Sequence, residues 1–218
     1  MMDMSSVPPM EGTSMKLMTL MNEGGWVMWA LLLFSIAALA VAVERFVRLR
    51  RASLDFDAFA EQLGNALLRR QSVPEALQVA RTAPGPVARV AGVALQRFDR
   101  APNKIEQSME RQAMREERLL RRGMTLLATT ATTAPLLGFL GTVTGMMASF
   151  HVLSESGISN PGMVALGIKE ALTTTAAGLV VAVPTQIVYN VLQSRIERIQ
   201  GHMEAVGNFL LETREELS

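Results

Sequence analysis

Three stretches of this chain carry almost no charge over lengths that water does not tolerate. Residues 26–43 and 123–150 contain no charged side chain, and residues 163–193 contain only Lys169 and Glu170. About 17–25 apolar residues suffice to cross the core of a bilayer. Inside that core each backbone polar group must find its partner within the chain, which leaves helices as the simplest spanning form. The expected fold class is therefore all-α: a membrane protein with three transmembrane helices, two of them long and extending into a helical cytoplasmic region. Charged residues make up only 19% of the 218 residues, below the roughly one quarter of soluble domains. They are also segregated into the middle and the C-terminal end.

Basic residues flank membrane spans on the cytoplasmic side. Arg45, Arg48, Arg50 and Arg51 follow the first stretch. Arg118, Arg121 and Arg122 precede the second, and Arg195 and Arg198 follow the third. All three clusters agree on one orientation, with the N-terminus outside and the C-terminus inside a bacterial inner membrane. The expected layout is a periplasmic segment 1–25, a first span 26–43, a cytoplasmic helical region 44–122, a second span 123–150, a periplasmic loop 151–162, a third span 163–193 and a cytoplasmic C-terminal helix 194–218. Trp26 and Trp29 then stand at the outer boundary, where aromatic belts form. A cleaved signal peptide is the competing reading of the first stretch, since Ala38-Leu39-Ala40 has a small-residue pattern. It needs a positive leader, yet Asp3, Glu11 and Glu23 outweigh Lys16 there. Residues 14–22 carry Leu17, Met18, Leu20 and Met21, a pattern for a short helix on the outer surface.

The middle region alternates helical periodicity with breaks. Leu54, Phe56, Phe59, Leu63, Leu67 and Leu68 recur at helical spacing. Pro74 opens a short helix to Arg81, Pro84-Gly85-Pro86 interrupts, and a third helix is expected from Val87 to Phe98. Asn103 with Glu106 three residues on has the spacing of a capping box. The helix it starts, 104–122, is expected to enter the second span without a breaker. Residues 44–122 hold 16 Lys or Arg against 10 Asp or Glu. Attraction to membrane lipid headgroups and solvated helix faces both account for that excess.

Several classes of function are excluded or unsupported. There are no cysteines, which rules out thiolate chemistry and disulfides. The two histidines, His151 and His202, lie far apart without other ligands at metal-binding spacing. A net charge of +1 gives no footprint for nucleic acid. No strand pattern, phosphate loop or catalytic motif is present. No cofactor, metal or enzyme activity is expected.

The information lies in the second and third spans. Ala134 and Gly138, and Gly141 and Gly145, form two pairs of small residues spaced by four, with Gly178 on the third span. Such spacing lets helices approach closely in lipid. Glu170 stands about seven residues into its span, roughly 10 Å along the helix. An ionised carboxylate in that position costs about 2.5–3.5 kcal/mol on insertion scales, so it must face protein or water, or be protonated. A proton-pathway group and an interfacial residue beside a snorkelling Lys169 are the two readings. On an ideal helix Thr174, Ala177 and Val181 share the Glu170 face, whereas Thr175 lies 140° away, at about 100° per residue. Thr142 and Thr175 sit roughly 12 Å and 18 Å from the outer ends of their spans, comparable depths near mid-membrane.

The run APLLGFLGTVTGM, followed by KEALTTTAAGLVVAVP, resembles the paired signature of the MotA/TolQ/ExbB proton channels over about residues 135–192. The layout is closest to the ExbB branch, since motor-stator relatives have four spans. The resemblance implies a homopentamer around the single-span helices of an ExbD-like dimer, and coupling of proton flow to mechanical work. A TonB-like protein energising outer-membrane transport is the implied further partner. A TolQ-like role in envelope maintenance and a non-conducting membrane scaffold are the alternatives. Thr142, Glu170 and Thr175 match the polar pore positions of the family, and Thr174 joins them as a candidate through its face. Lys169 beside the glutamate, and Thr144 where many relatives carry a bulky aromatic, depart from the pattern.

The orientation is open to direct measurement. A cysteine introduced by Ser5→Cys should react with an impermeant thiol reagent added to the outside, and one introduced by Ser218→Cys should not. The opposite labelling would reverse the topology.

Overall fold

The computed structural model describes residues 21, 24–52, 54–156 and 161–216, and among them the chain is helical throughout, without a strand. The helices are α1 (Gly25–Ala52), α2 (Phe56–Gly64), α3 (Val73–Thr82), α4 (Pro86–Leu95), α5 (Pro102–Arg121), α6 (Met124–Ser156) and α7 (Pro161–Glu216). Helix α2 runs into one wider π-type turn, Asn65–Arg69. Three helices, α1, α6 and α7, are long and apolar enough to cross a membrane. The short surface helix expected over 14–22 lies outside the described residues.

Backbone contacts divide the chain into two compact units. One comprises Met1–Val41 and Leu126–Val188, the other Ala42–Thr125 and Tyr189–Ser218. In the first unit Val27 and Leu31 of α1 pack with Ala134 of α6 and Ala182 of α7. Its remaining apolar surface stays open: Leu33, Leu136, Phe139, Leu172 and Val180 are each more than 60% exposed. Such surface is tolerable only where the surroundings are lipid or other protein.

The second unit has the core of a water-soluble bundle. Of the six apolar residues at helical spacing, Phe59, Leu63 and Leu67 are buried, Leu54 and Phe56 are half-buried and Leu68 turns outward. Asp55 caps α2 by accepting from the Ala58 N–H at 3.3 Å, and Ser72 caps α3 by accepting from the Glu75 N–H at 3.4 Å. Each satisfies one of the orphan donors of a helix start. The last turns of α7 join this core. Phe209 lies beside Gly64, Met109 lies beside Gly207, and Arg214 donates to the Phe98 carbonyl at 2.8 Å.

The structure corrects three local expectations. Helix α5 begins at Pro102, after Ala101, with no side-chain cap, so Asn103 is inside the helix. Proline at the first helical position has no N–H to satisfy and fixes φ in the helical range, which sets the start ahead of Asn103. Helix α4 ends at Leu95, and the chain to Arg100 turns back on itself through successive i→i+3 bonds, such as Phe98 N–H to the Leu95 carbonyl. The passage from α5 into α6 is broken: Arg122 leaves the helical region (ψ 128°) and Gly123 takes φ 81°. A left-handed φ is cheap only for glycine. Arg45 braces this break. It is 2% exposed and donates to the Leu119 carbonyl at 3.1 Å, one of the carbonyls left open at a helix end.

The charged helix α5 is not solvated on every side. Glu116 is buried and takes two bonds from Arg89 of α4, at 2.7 and 2.6 Å, and one from Gln112 at 2.7 Å. The hydrogen bonds that Arg89 donates to Glu116 raise the proton affinity of its guanidinium above the ordinary value, against a smaller opposing effect of burial. The two ends of this pair differ in exposure, 55% for the Arg89 side chain and 4% for Glu116. Arg89→Ala strands a buried carboxylate with one amide partner and should cost about 3 kcal/mol. Glu116→Ala leaves an arginine that can turn to water and should cost about 1–2 kcal/mol. Thermal unfolding of the full chain in detergent, followed by circular dichroism, should rank the variants in that order, and the reverse order would refute the account.

Candidate functional site

The candidate residues gather where α6 and α7 meet. The two helices run antiparallel in contact, and the small residues singled out from the sequence form the seam. A Cβ placed on Gly178 would stand 2.6 Å from the Ala134 carbonyl oxygen and 3.1 Å from Gly138 Cα. One on Gly138 would stand 3.0 Å from the Thr174 carbonyl, and one on Gly145 2.9 Å from the Gly167 carbonyl. At Gly141 the added atom would meet the side chain of Thr174. Backbone therefore rests on backbone along the seam, an approach that only residues lacking a side chain allow.

The threonines of α7 divide between separate tasks. Thr174 is buried against Gly141 and donates within its own helix to the Ala171 and Glu170 carbonyls at 2.9 and 3.1 Å. Thr175 crosses the seam and donates to the Gly138 carbonyl at 2.9 Å. A carbonyl oxygen has two lone pairs, so the Gly138 carbonyl can take this bond beside the one within its own helix. On α6, Thr142 is half-buried and donates to the Phe139 carbonyl at 2.6 Å. Thr142 follows Gly141, the residue facing Thr174, so the hydroxyls of Thr142, Thr174 and Thr175 occupy neighbouring turns. Ser149 extends the polar line outward, donating to the Gly145 carbonyl at 3.0 Å and to the Val164 carbonyl of α7 at 3.3 Å.

Glu170 is half-buried and faces the start of α1, which the sequence did not indicate. A Cβ on Gly25, whose φ is +64°, would lie 2.8 Å from a Glu170 carboxylate oxygen. Gly24 stands close to Thr174, with its added Cβ 3.2 Å from the threonine methyl. Helix α1 has no acidic residue in its own first turn. A carboxylate beside that turn is stabilised by the positive end of the helix. The glycine pair at 24–25 is the sequence signal for this approach. A shallow cavity of about 320 Å³ opens beside Glu170, lined also by Ser149, Leu166, Gly167 and Lys169. Among the described residues no group of His, Asp or Glu is arranged to hold a metal.

Comparison with known proteins identifies the class. A family model described as the MotA/TolQ/ExbB proton channel family matches residues 82–205, and the chain belongs to that family. It sits with the ExbB branch. It is 36% identical over 199 residues to a putative biopolymer transport protein ExbB-like 1 of Synechocystis sp., covering 86% of this chain and 75% of the relative. It is 31% identical over 200 residues to the biopolymer transport protein ExbB of Neisseria meningitidis, covering 83% of this chain and 86% of the relative. A biopolymer transport protein ExbB of Aquifex aeolicus matches at 37% over 103 residues, 47% of this chain and 68% of the relative. The protein is thus a multi-pass inner-membrane member of a channel and transport family.

The seam predicts opposite outcomes for two glycine substitutions in the same helix. Gly178→Ala forces a methyl into the Ala134 carbonyl and should lower the temperature of thermal inactivation in detergent. A Cβ on Gly201 meets nothing within 4 Å, so Gly201→Ala should leave the protein equally stable or raise stability by about 0.4–1 kcal/mol. Equal behaviour of the two variants would remove the seam from the account.

Proposed function

We propose that this chain is the channel subunit of an inner-membrane machine that converts proton flow into mechanical work through an ExbD-like partner, energising TonB-dependent outer-membrane transport. The observation that carries the reading is the alignment of hydroxyls on neighbouring turns of α6 and α7, close to the single carboxylate of the membrane stretches. Five subunits arranged around the partner's helices would repeat this polar level as a belt. The N-terminus is periplasmic and the C-terminus cytoplasmic in this arrangement. Homology supports assembly into a complex of this kind, and the resemblance supplies the ExbD-like dimer and the TonB-like protein.

The chemistry of the belt follows from which hydrogen-bonding capacity is left over. Thr142 and Thr175 already donate their protons to carbonyls. Each hydroxyl oxygen retains acceptor capacity. A protonated carboxyl on a partner helix can donate to such an oxygen, whereas an ionised one finds no donor unless a hydroxyl rotates away from its carbonyl. The belt therefore favours passage of the neutral acid. Glu170, held near the outer start of α7, is placed to exchange a proton with that acid before it enters the belt.

Packing is the competing role, and the Thr175 bond across the seam favours it in part. Hydrogen bonds of this type average only about 0.6 kcal/mol in a membrane protein, too little to decide assembly. The double variant Thr142→Val, Thr175→Val should keep its expression and its oligomer mass by native mass spectrometry. It should lose at least about tenfold of proton-driven uptake, since valine preserves shape and removes only the hydroxyl. Glu170→Gln should do the same. Full uptake in both would return the threonines to a packing role and leave a non-conducting scaffold, while a monomeric wild-type protein in lipid would overturn the ring.

A further inference from the structure

A cavity of about 630 Å³ opens within the charged unit, between the end of α1 and the middle of α7. Phe46, Leu49, Val87 and Ile199 form its apolar side, and Arg50, Arg195 and Arg198 its charged side. That volume is in the range that holds a sizeable organic ligand. No carboxylate lines the cavity. Arg195 lies over the ring of Phe46, 5.0 Å from its centroid, and neither Arg195 nor Arg198 has an ion-pair partner among the described residues. His202 closes one edge, stacked on Phe56 with ring centroids 4.2 Å apart.

The two linings call for one ligand with two characters. Guanidinium groups present paired donors that match phosphate oxygens, and those of Arg195 and Arg198 have no competing carboxylate among the described residues lining the cavity. A small soluble phosphate would satisfy them but leave Phe46, Leu49 and Ile199 wet. The position along the helices decides between the sources. Arg50 is seven residues beyond Val43, where the first apolar stretch ends, and Arg195 is two beyond Gln193, where the third ends. At 1.5 Å per residue these are about 10 Å and 3 Å past the apolar stretches, the level at which phospholipid headgroups meet water.

We propose that this cavity binds the head of one anionic phospholipid per subunit, its phosphate on Arg195 and Arg198 and the carbons of its glycerol units against Phe46, Leu49 and Ile199, with the acyl chains left to the bilayer. The site is independent of the proton belt and stands or falls separately from it.

Native mass spectrometry of the full oligomer in mild detergent tests the assignment, with palmitoyl-oleoyl phosphatidylglycerol and phosphatidylcholine as probes. The wild-type protein should retain one phosphatidylglycerol per subunit and prefer it to phosphatidylcholine by about tenfold, the scale of one charge-assisted hydrogen bond. Arg195→Gln with Arg198→Gln should abolish the preference, and Arg198→Gln alone, at an exposed unpaired side chain, should reduce it with no cost in folding. Arg115→Gln with Arg118→Gln removes the same charge elsewhere and should leave the preference intact. Equal retention of the two lipids, unchanged retention in the Arg198 variants, or loss in the control pair would overturn the proposal. Complete displacement of phosphatidylglycerol by inorganic phosphate would reassign the cavity to a soluble anion and overturn the lipid assignment too.

Discussion

The close approach of α6 and α7 is the constraint from which the site follows. In lipid, apolar side chains gain little by leaving their surroundings, so helices are held together by contact and by the few hydrogen bonds they share. Contact of backbone on backbone requires positions without side chains. Gly138, Gly141, Gly145 and Gly178 supply them on the two helices, with Ala134 and Ala171 filling the same seam. Once the helices stand that close, Thr175 can reach the Gly138 carbonyl and Thr174 is sealed against Gly141. Widen the seam by one methyl and both relations fail together. The register that puts Thr142 at the level of these hydroxyls is set by the same contacts.

The charged unit is organised by a different rule. There the apolar core does the packing and a few ionic groups fix direction. Arg89 and Glu116 pin α4 to α5, and Arg45 holds the broken end of α5 beside α1. Basic residues that set topology in a membrane protein are expected to face water. Arg45 belongs to that cluster by sequence but is buried and structural, whereas Arg195 and Arg198 of the third cluster have no ion-pair partner among the described residues. One compositional signal thus conceals two physical roles.

How legible the protein was in its sequence depends on the range of the cause. The three apolar stretches, the helical class and the small-residue pairs are local patterns, and each corresponds to an element of the structure. Of the six residues at helical spacing over 54–68, Phe59, Leu63 and Leu67 are buried, whereas Leu68 is exposed. Failures came where a distant residue decides. Asn103 fits a capping box, yet Pro102 had already set the helix start. Gly123 sits inside an uncharged run and gives no periodic sign that the chain breaks there. Ideal helix geometry groups Thr174 with Glu170, and both side chains meet the Gly24–Gly25 pair of α1, but nothing local in the third span points to that partner, more than a hundred residues away. The Arg89–Glu116 pair was invisible for the same reason. The proposed pore roles of Thr142, Glu170 and Thr175 rest on resemblance, and that of Thr174 on its place on the Glu170 face.

The consecutive threonines 173–175 show how one subunit can combine packing with transport. Successive residues on a helix are about 100° apart, so three in a row reach most of its circumference. Thr174 faces the partner helix and is satisfied there, and Thr175 spends its donor across the seam. Neither would pass for a site by burial or by an unmet hydrogen bond. What they leave is acceptor capacity on oxygens in a setting of few donors. Under the proposed reading that asymmetry is functional. A belt rich in donors would stabilise an ionised carboxylate and trap it, because a charge held in low dielectric leaves slowly. A belt that can only accept discriminates by protonation: the neutral acid is bonded and the ionised acid is excluded. A partner carboxyl could then cross only after taking a proton from one side and leave only after releasing it to the other. Directional movement under a proton gradient requires that condition, and helix packing that uses up the donors of the belt produces it.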